Sequence, residues 1–162
     1  MAGVWKVRAA FLAGVACLAG CDRASKVAAE AALSGHEPLS LVRGVLDLRY
    51  AENRDVAFNA LSRVSVQVPA WGLTAFAALA TMALLVAWAA RRRRPLAQHA
   101  GFALVAAGAL GNALDRVLRG SVVDFMHVHH WPVFNVADVL IVAGVALLAL
   151  ARQRKPGTSI AA

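Results

Sequence analysis

Acidic residues are scarce in this sequence, 9 against 17 lysines and arginines in 162 residues. Over two long stretches charge of either sign all but disappears. From Val68 to Ala90 no side chain is charged, and from Val133 to Ala151 only Asp138 is. Cysteine is scarce too: Cys17 and Cys21 lie one helical turn apart inside an apolar segment. Two thiols on one helix face make no disulfide framework and read as small packing residues. What is abundant is apolar surface. Hydrophobic residues make up 60% of the chain, against roughly 45–50% in soluble domains. Mean hydropathy is +0.61, more apolar matter than one small core can hide.

A bilayer core is crossed by about 20 apolar residues in helix. The chain therefore reads as an all-α membrane protein, one domain over residues 1–162 with four transmembrane helices, at about 9–29, 68–90, 96–116 and 133–151. Lys6 and Arg8 precede the first span, Arg91 to Arg94 separate the second and third, and Arg152, Arg154 and Lys155 follow the fourth; no acidic residue accompanies them. Retained positive charge marks the cytoplasmic side, so both termini are expected there. On this reading the net charge of +8 is a topology signal rather than a nucleic-acid surface.

The remaining sizeable connection, about 34–67, then faces outward. Val45 to Asn53 reads as a short, imperfectly alternating strand. Phe58, Leu61 and Val64 recur at three-residue steps, as in a short amphipathic helix in the membrane interface or an ordinary loop. Trp71 and Trp88 stand near opposite ends of the second span, as headgroup anchors. The tail, 153–162, is expected to be disordered.

Polar residues inside spans three and four are costly, about 2.5–3.5 kcal/mol for an Asp at a helix centre. Asp138 should therefore face the bundle interior. Asp124 lies at the outer end of span three, so the connection to span four can bring the two carboxylates to one depth. Two carboxylates in a partly dry site share one proton near neutral pH. Such a pair can activate water for peptide hydrolysis, the ionised member taking water's proton while the protonated one holds the carbonyl. The other readings are ion pairing with Arg116 or Arg119, or a non-catalytic polytopic membrane protein, either a proton or ion pathway using both aspartates as relays or an inactive paralogue of an enzyme.

The segments "DRASK" (22–26), "NRDVAF" (53–58), "GNALDR" (111–116), "VVDF" (122–125) and "FNVAD" (134–138) resemble, in order, the motifs of the lipoprotein signal peptidase (signal peptidase II) family. The resemblance implies an intramembrane aspartic endopeptidase of the bacterial plasma (inner) membrane, multi-pass, with its site near the extracytoplasmic face. It implies substrates that are diacylglyceryl-modified prolipoproteins, cut just before the lipidated Cys, with membrane lipids as neighbours and no nucleic acid. Asp124 and Asp138 match the catalytic pair. Asn112, Asp115, Arg116 and Asn135 match positions around the site, and Asp22, Lys26 and Asn53 match further motif positions. A monomer needing no cofactor is expected.

Each supporting residue also has a plainer reading. Asp22 and Lys26, four apart, can simply neutralise each other; Arg116 can reach for headgroups; Asn112 and Asn135 can join helices; Asn53 can be a turn residue. Asp55 stands where the family has a Gly, and "HVHHWPV" (127–133) is shorter than the family leads one to expect. His127, His129 and His130 near Asp124 suggest zinc, but they lack helical metal-site spacing, and no metal is expected. "LAGCD" (18–22) looks like the cleavage site of a lipoprotein precursor, with Cys21 as the lipidated residue. Because Asp22 and Lys26 continue the first span, that segment is expected to be retained as part of the enzyme.

Overall fold

The computed structural model describes residues 2–53, 70–90 and 95–153. Its elements are α1 (Ala2–Leu33), β1 (Leu39–Val42), β2 (Leu46–Asn53), α2 (Ala70–Ala89), α3 (Leu96–Arg119), β3 (Val122–Val128) and α4 (Val136–Gln153). Asp55 and the stretch around Phe58, Leu61 and Val64 lie outside the described residues, as does the tail beyond Gln153.

The helices alternate in direction. At one end of the molecule Phe11 of α1 stacks on Trp88 of α2, with ring centroids 3.9 Å apart, and Trp88 Nε1 donates to His99 Nδ1 of α3 at 2.9 Å. At the other end Asp22 and Lys26 of α1 meet Asn112 and Asp115 of α3 and the start of α4. The central helix is α3, packed on the other three. Trp88 is thus buried in the bundle, not a headgroup anchor: its indole N–H is already satisfied by protein. Cys17 and Cys21 do share a face, but it is the exposed one, so they are not packing residues.

Small residues let α3 and α4 approach closely, as helices in lipid commonly do. A Cβ on Gly108 would collide with the Ala137 carbonyl oxygen, and one on Gly144 would come within 2.6 Å of Val105 Cγ2. Backbone cannot yield as a side chain tip can. Gly108→Ala is therefore expected to destabilise the protein by about 1–3 kcal/mol, read as a lower thermal midpoint in detergent, and to displace Asp138 next door.

The small strand element expected beside the helices is larger than the single strand read from the sequence. β1, β2 and β3 form a three-stranded antiparallel sheet, of which only β2 was legible. The sheet packs on the end of α1 through Ala29, Leu33 and Phe125, with Leu48, Tyr50 and Met126 around them. Helix α3 stops because Gly120 takes the left-handed conformation, φ 75°, and donates its N–H to Arg116 O at 3.0 Å, a glycine C-terminal stop. Asp124 consequently sits on a strand rather than at the end of a span.

Among the described residues, Leu96–Arg119 and Val136–Gln153 are long and apolar enough to cross a membrane. Leu12, Leu79, Val86, Val117 and Val142 project outward from the four helices. That much exposed apolar surface is untypical of a soluble monomer and suits lipid contact.

Candidate active site

The first turn of α4 is built by its own side chains. Asn135 Oδ1 accepts from Asp138 N–H at 3.1 Å, and Asp138 Oδ2 accepts from Asn135 N–H at 3.2 Å. This is a reciprocal capping box with Asp in the third position. It pins the Asp138 carboxylate at the helix N-terminus, where the dipole favours negative charge. The Ala137 N–H, which has no partner within the helix, donates to Asp22 Oδ1 at 2.8 Å.

On the sheet, β2 carries one extra residue between Leu48 and Ala51, opposite the single step Phe125 of β3. This bulge resets the pairing so that Ala51 faces Asp124 and Asn53 becomes its diagonal neighbour. Asn53 Nδ2 donates to Asp124 Oδ2 at 2.9 Å, and Asn135 Nδ2 donates to Asp124 Oδ1 at 2.6 Å. The other carboxylate is held in the same way, Asn112 Nδ2 donating to Asp138 Oδ1 at 2.9 Å. Each aspartate thus has both oxygens occupied by N–H donors.

Asp124 and Asp138 line one polar cleft of about 80 Å³ together with Asn53, Asn112, Arg116 and Asn135. That volume admits water. Burial pushes the Asp124 carboxyl up to about 6; the Asn53 amide opposes this, the Asp138 charge adds to it, and the Asn135 amide and Lys26 oppose it. An apolar groove of about 540 Å³ adjoins the cleft at Asp138 and runs along α4 past Val139, Val142 and Ala146, with Trp131 and Phe134 at its mouth.

Behind the cleft lies a buried ion cluster. Lys26 Nζ is 2.8 Å from Asp22 Oδ2 and 3.1 Å from Asp115 Oδ2. Asp115 Oδ1 takes Arg23 at 3.0 Å, and its Oδ2 also accepts Val123 N–H. Asp22 and Asp115 are fully buried and Lys26 is 1% exposed, so mutual neutralisation is real but takes place in the interior, not at a surface.

The structure therefore brings together all nine residues singled out in the sequence: Asn53, Asn112, Arg116 and Asn135 line the cleft with the two carboxylates, and Asp22, Lys26 and Asp115 form the ion cluster behind it. Neither Asp124 nor Asp138 forms an ion pair with Arg116 or Arg119 among the described residues; Arg119 binds Glu30 at 2.7 Å instead. His127 lies on the opposite face of β3 from Asp124 by strand alternation, its Nδ1 3.9 Å from Asp47. Arg23 escaped the sequence reading, although its place next to Asp22, at the polar end of α1, was a usable signal. Gly111 escaped as well: a Cβ there would collide with Asp22 Oδ2, and nothing local in the sequence announces that contact.

A mostly helical membrane-type fold, with paired carboxylates on one water-sized polar cleft and a small antiparallel sheet, defines the class: a helical membrane protein that brings two aspartates together. A family model, Peptidase_A8, described as signal peptidase (SPase) II, matches residues 14–153. The lipoprotein signal peptidase of Syntrophotalea carbinolica is 41% identical over 125 residues, covering 74% of this chain and 75% of that protein. That of Geobacter sulfurreducens is 38% identical over 136 residues, covering 80% and 82%. A solved bacterial membrane enzyme shares the fold with a TM-score of 0.72 at 23% identity, over 91% of this chain and 94% of that one. The chain belongs to the signal peptidase II family.

Proposed function

We propose that this chain removes the signal peptide from diacylglyceryl-modified prolipoproteins, cutting just before the lipidated cysteine. The observation that carries the reading is the pair Asp124 and Asp138 on one water-sized cleft, each gripped by amide donors, in a chain of the signal peptidase II family. A proton or ion pathway is not favoured, because the relatives are peptidases.

In this mechanism Asp138 takes a proton from a water in the cleft, and the water oxygen attacks the scissile carbonyl carbon. Asp124 carries the shared proton, hydrogen-bonds the carbonyl oxygen and then helps protonate the leaving amine. Asn112, Asn135 and Asn53 hold the two carboxylates, and Arg116 at the rim orients the substrate backbone. Neither metal nor cofactor enters these steps.

All four helices span the bacterial inner membrane in this reading, with both termini cytoplasmic. The alternation of the helices supports it: Arg8 at the start of α1 donates to Ala89 O at the end of α2, at the end of the bundle away from the aspartates. The site then lies near the extracytoplasmic face under the sheet. The chain works as a single domain and a monomer, all its site residues coming from one copy. The apolar groove beside Asp138 lets acyl chains stay in lipid while the peptide enters the cleft.

The test is cleavage of a purified diacylglycerylated prolipoprotein in detergent, read as a gel shift beside the same precursor without the lipid. A shift of the modified precursor alone is expected. An intact modified precursor would overturn the activity, and equal cleavage of both would overturn the lipid requirement.

A further inference from the structure

The Lys26 ammonium donates to Asn112 Oδ1 at 2.9 Å and is ion-paired with Asp22 Oδ2 at 2.8 Å and Asp115 Oδ2 at 3.1 Å. The consequence falls on Asn112. An ammonium donates and never accepts, so the Asn112 amide must present its oxygen to Lys26. Its NH2 group is thereby turned the other way, onto Asp138 Oδ1 at 2.9 Å. Asn135 Nδ2, also a donor, reaches the same Asn112 oxygen at 3.2 Å and agrees with that orientation. Turned over, the amide would set NH2 against both donors and its oxygen against a carboxylate.

We infer that Lys26 is a positioning residue for peptide cleavage: through the forced orientation of the Asn112 amide it aims the hydrogen bond that holds the Asp138 carboxylate. This rests on the dyad reading above. Lys26 itself is buried and does not line the cleft, so it touches no substrate. The charged groups that feel it come from every element packed around it: Asp22 from α1 and Asp115 from α3 in direct contact, Asp124 from β3 and Asp138 from α4 at longer range, with Arg23 bound to Asp115. Asp22 and Asp115 anchor the ammonium, and Asp22 also ties it to the α4 backbone at Ala137. The lysine is thus fixed to the same turn whose aspartate it helps to aim.

Lys26→Met alone strands two buried carboxylates and is liable to unfold. The informative variant is Asp22→Asn combined with Lys26→Met. It removes one charge of each sign, leaves the Arg23–Asp115 pair intact, and keeps an amide oxygen at position 22 for the Ala137 N–H. Prolipoprotein cleavage, the pH–rate profile and the thermal midpoint are measured beside wild type and Asp138→Asn. The double variant is expected to stay folded, with kcat lowered about ten- to a hundredfold, the scale of a catalytic group slightly misplaced. KM is expected to be unchanged. Its pH–rate profile should shift as well, because the Lys26 charge that opposes proton retention on Asp124 is gone. Wild-type kcat and an unmoved pH profile in the folded double variant would overturn the inference while leaving the dyad reading intact. An active Asp138→Asn enzyme, or an inactive wild type, would overturn both.

Discussion

Asp138→Asn and Asp124→Asn are each expected to leave a diacylglycerylated precursor uncut under conditions where wild type processes it fully. Asparagine keeps the size of the side chain but can neither take water's proton nor give one to the leaving amine. General acid–base assistance is worth about a hundred- to ten-thousandfold. Each single variant forfeits that factor, and the double variant should lose little more, because the pair acts as one unit. The pH dependence adds a second readout. With Asp124 pushed up to about 6, the free enzyme keeps the shared proton below that pH and loses it above. Wild-type kcat/KM should therefore fall as pH rises through about 6, and fall again in acid as the partner carboxylate takes a proton. Bound substrate displaces water and raises the proton affinity of Asp124 further. The corresponding limb of kcat should then lie at higher pH than that of kcat/KM. Linkage gives a matching sign for stability. The folded protein holds the Asp124 proton more tightly than the unfolded chain, so the stabilisation is complete below the unfolded value near 4. It is lost as pH rises through about 6. A pH-independent kcat/KM between 5 and 8 would contradict this placement of the proton.

Asn135→Ala should have the next largest effect, because one side chain touches both aspartates, the carboxylate of one and the backbone N–H of the other. Its Nδ2 donates to Asp124 Oδ1 and Asn112 Oδ1, while its Oδ1 caps the N–H of Asp138. Alanine removes all three bonds. Loss of the cap alone costs about 1 kcal/mol of stability, seen as a modest drop in thermal midpoint. The loss of geometry costs far more in rate: the Asp124 carboxylate loses one of its two amide donors and Asp138 loses its cap, so cleavage is expected to fall at least a hundredfold, mainly in kcat. Asn135→Ser separates the two contributions. A serine hydroxyl caps nearly as well as an Asn but is too short to reach Asp124. It should restore the melting temperature and leave activity low. Recovery of both together would mean that Asn135 acts only as a helix cap.

How far the sequence carried can be judged residue by residue. Asp138 was legible because a lone charge in an apolar run must face inward; the capping box that "FNVAD" forms with it emerged only in the structure. The alternating helices were legible in the basic clusters. Asp124 was legible as a partner but not as a strand residue. "VVDFMHV" is apolar enough to pass for the end of a span, and only Gly120, by its backbone conformation, separates the two. β1 is four residues long with every side chain exposed, so no burial pattern announces it. Trp88 misled because four arginines follow it in sequence, as an interface residue would have them. Its stacking on Phe11 depends on contacts remote in sequence, which no local pattern records. Lys26 and Asp22 were visible as a pair, but the third acceptor lies 86 residues away.

That separation matters while the protein is being made. Lys26 and Asp22 leave the ribosome early, whereas Asn112, Asp115 and the Ala137 amide that complete their bonding come more than eighty residues later. At about 5–20 residues per second the gap is on the order of ten seconds. During that interval the charges of α1 have only each other and Arg23. The hydrolytic cleft cannot exist until the last helix arrives, since its capping turn supplies Asn135 and Asp138. A nascent chain short of α4 therefore lacks the cleft, and the two carboxylates come together only once that helix has been made.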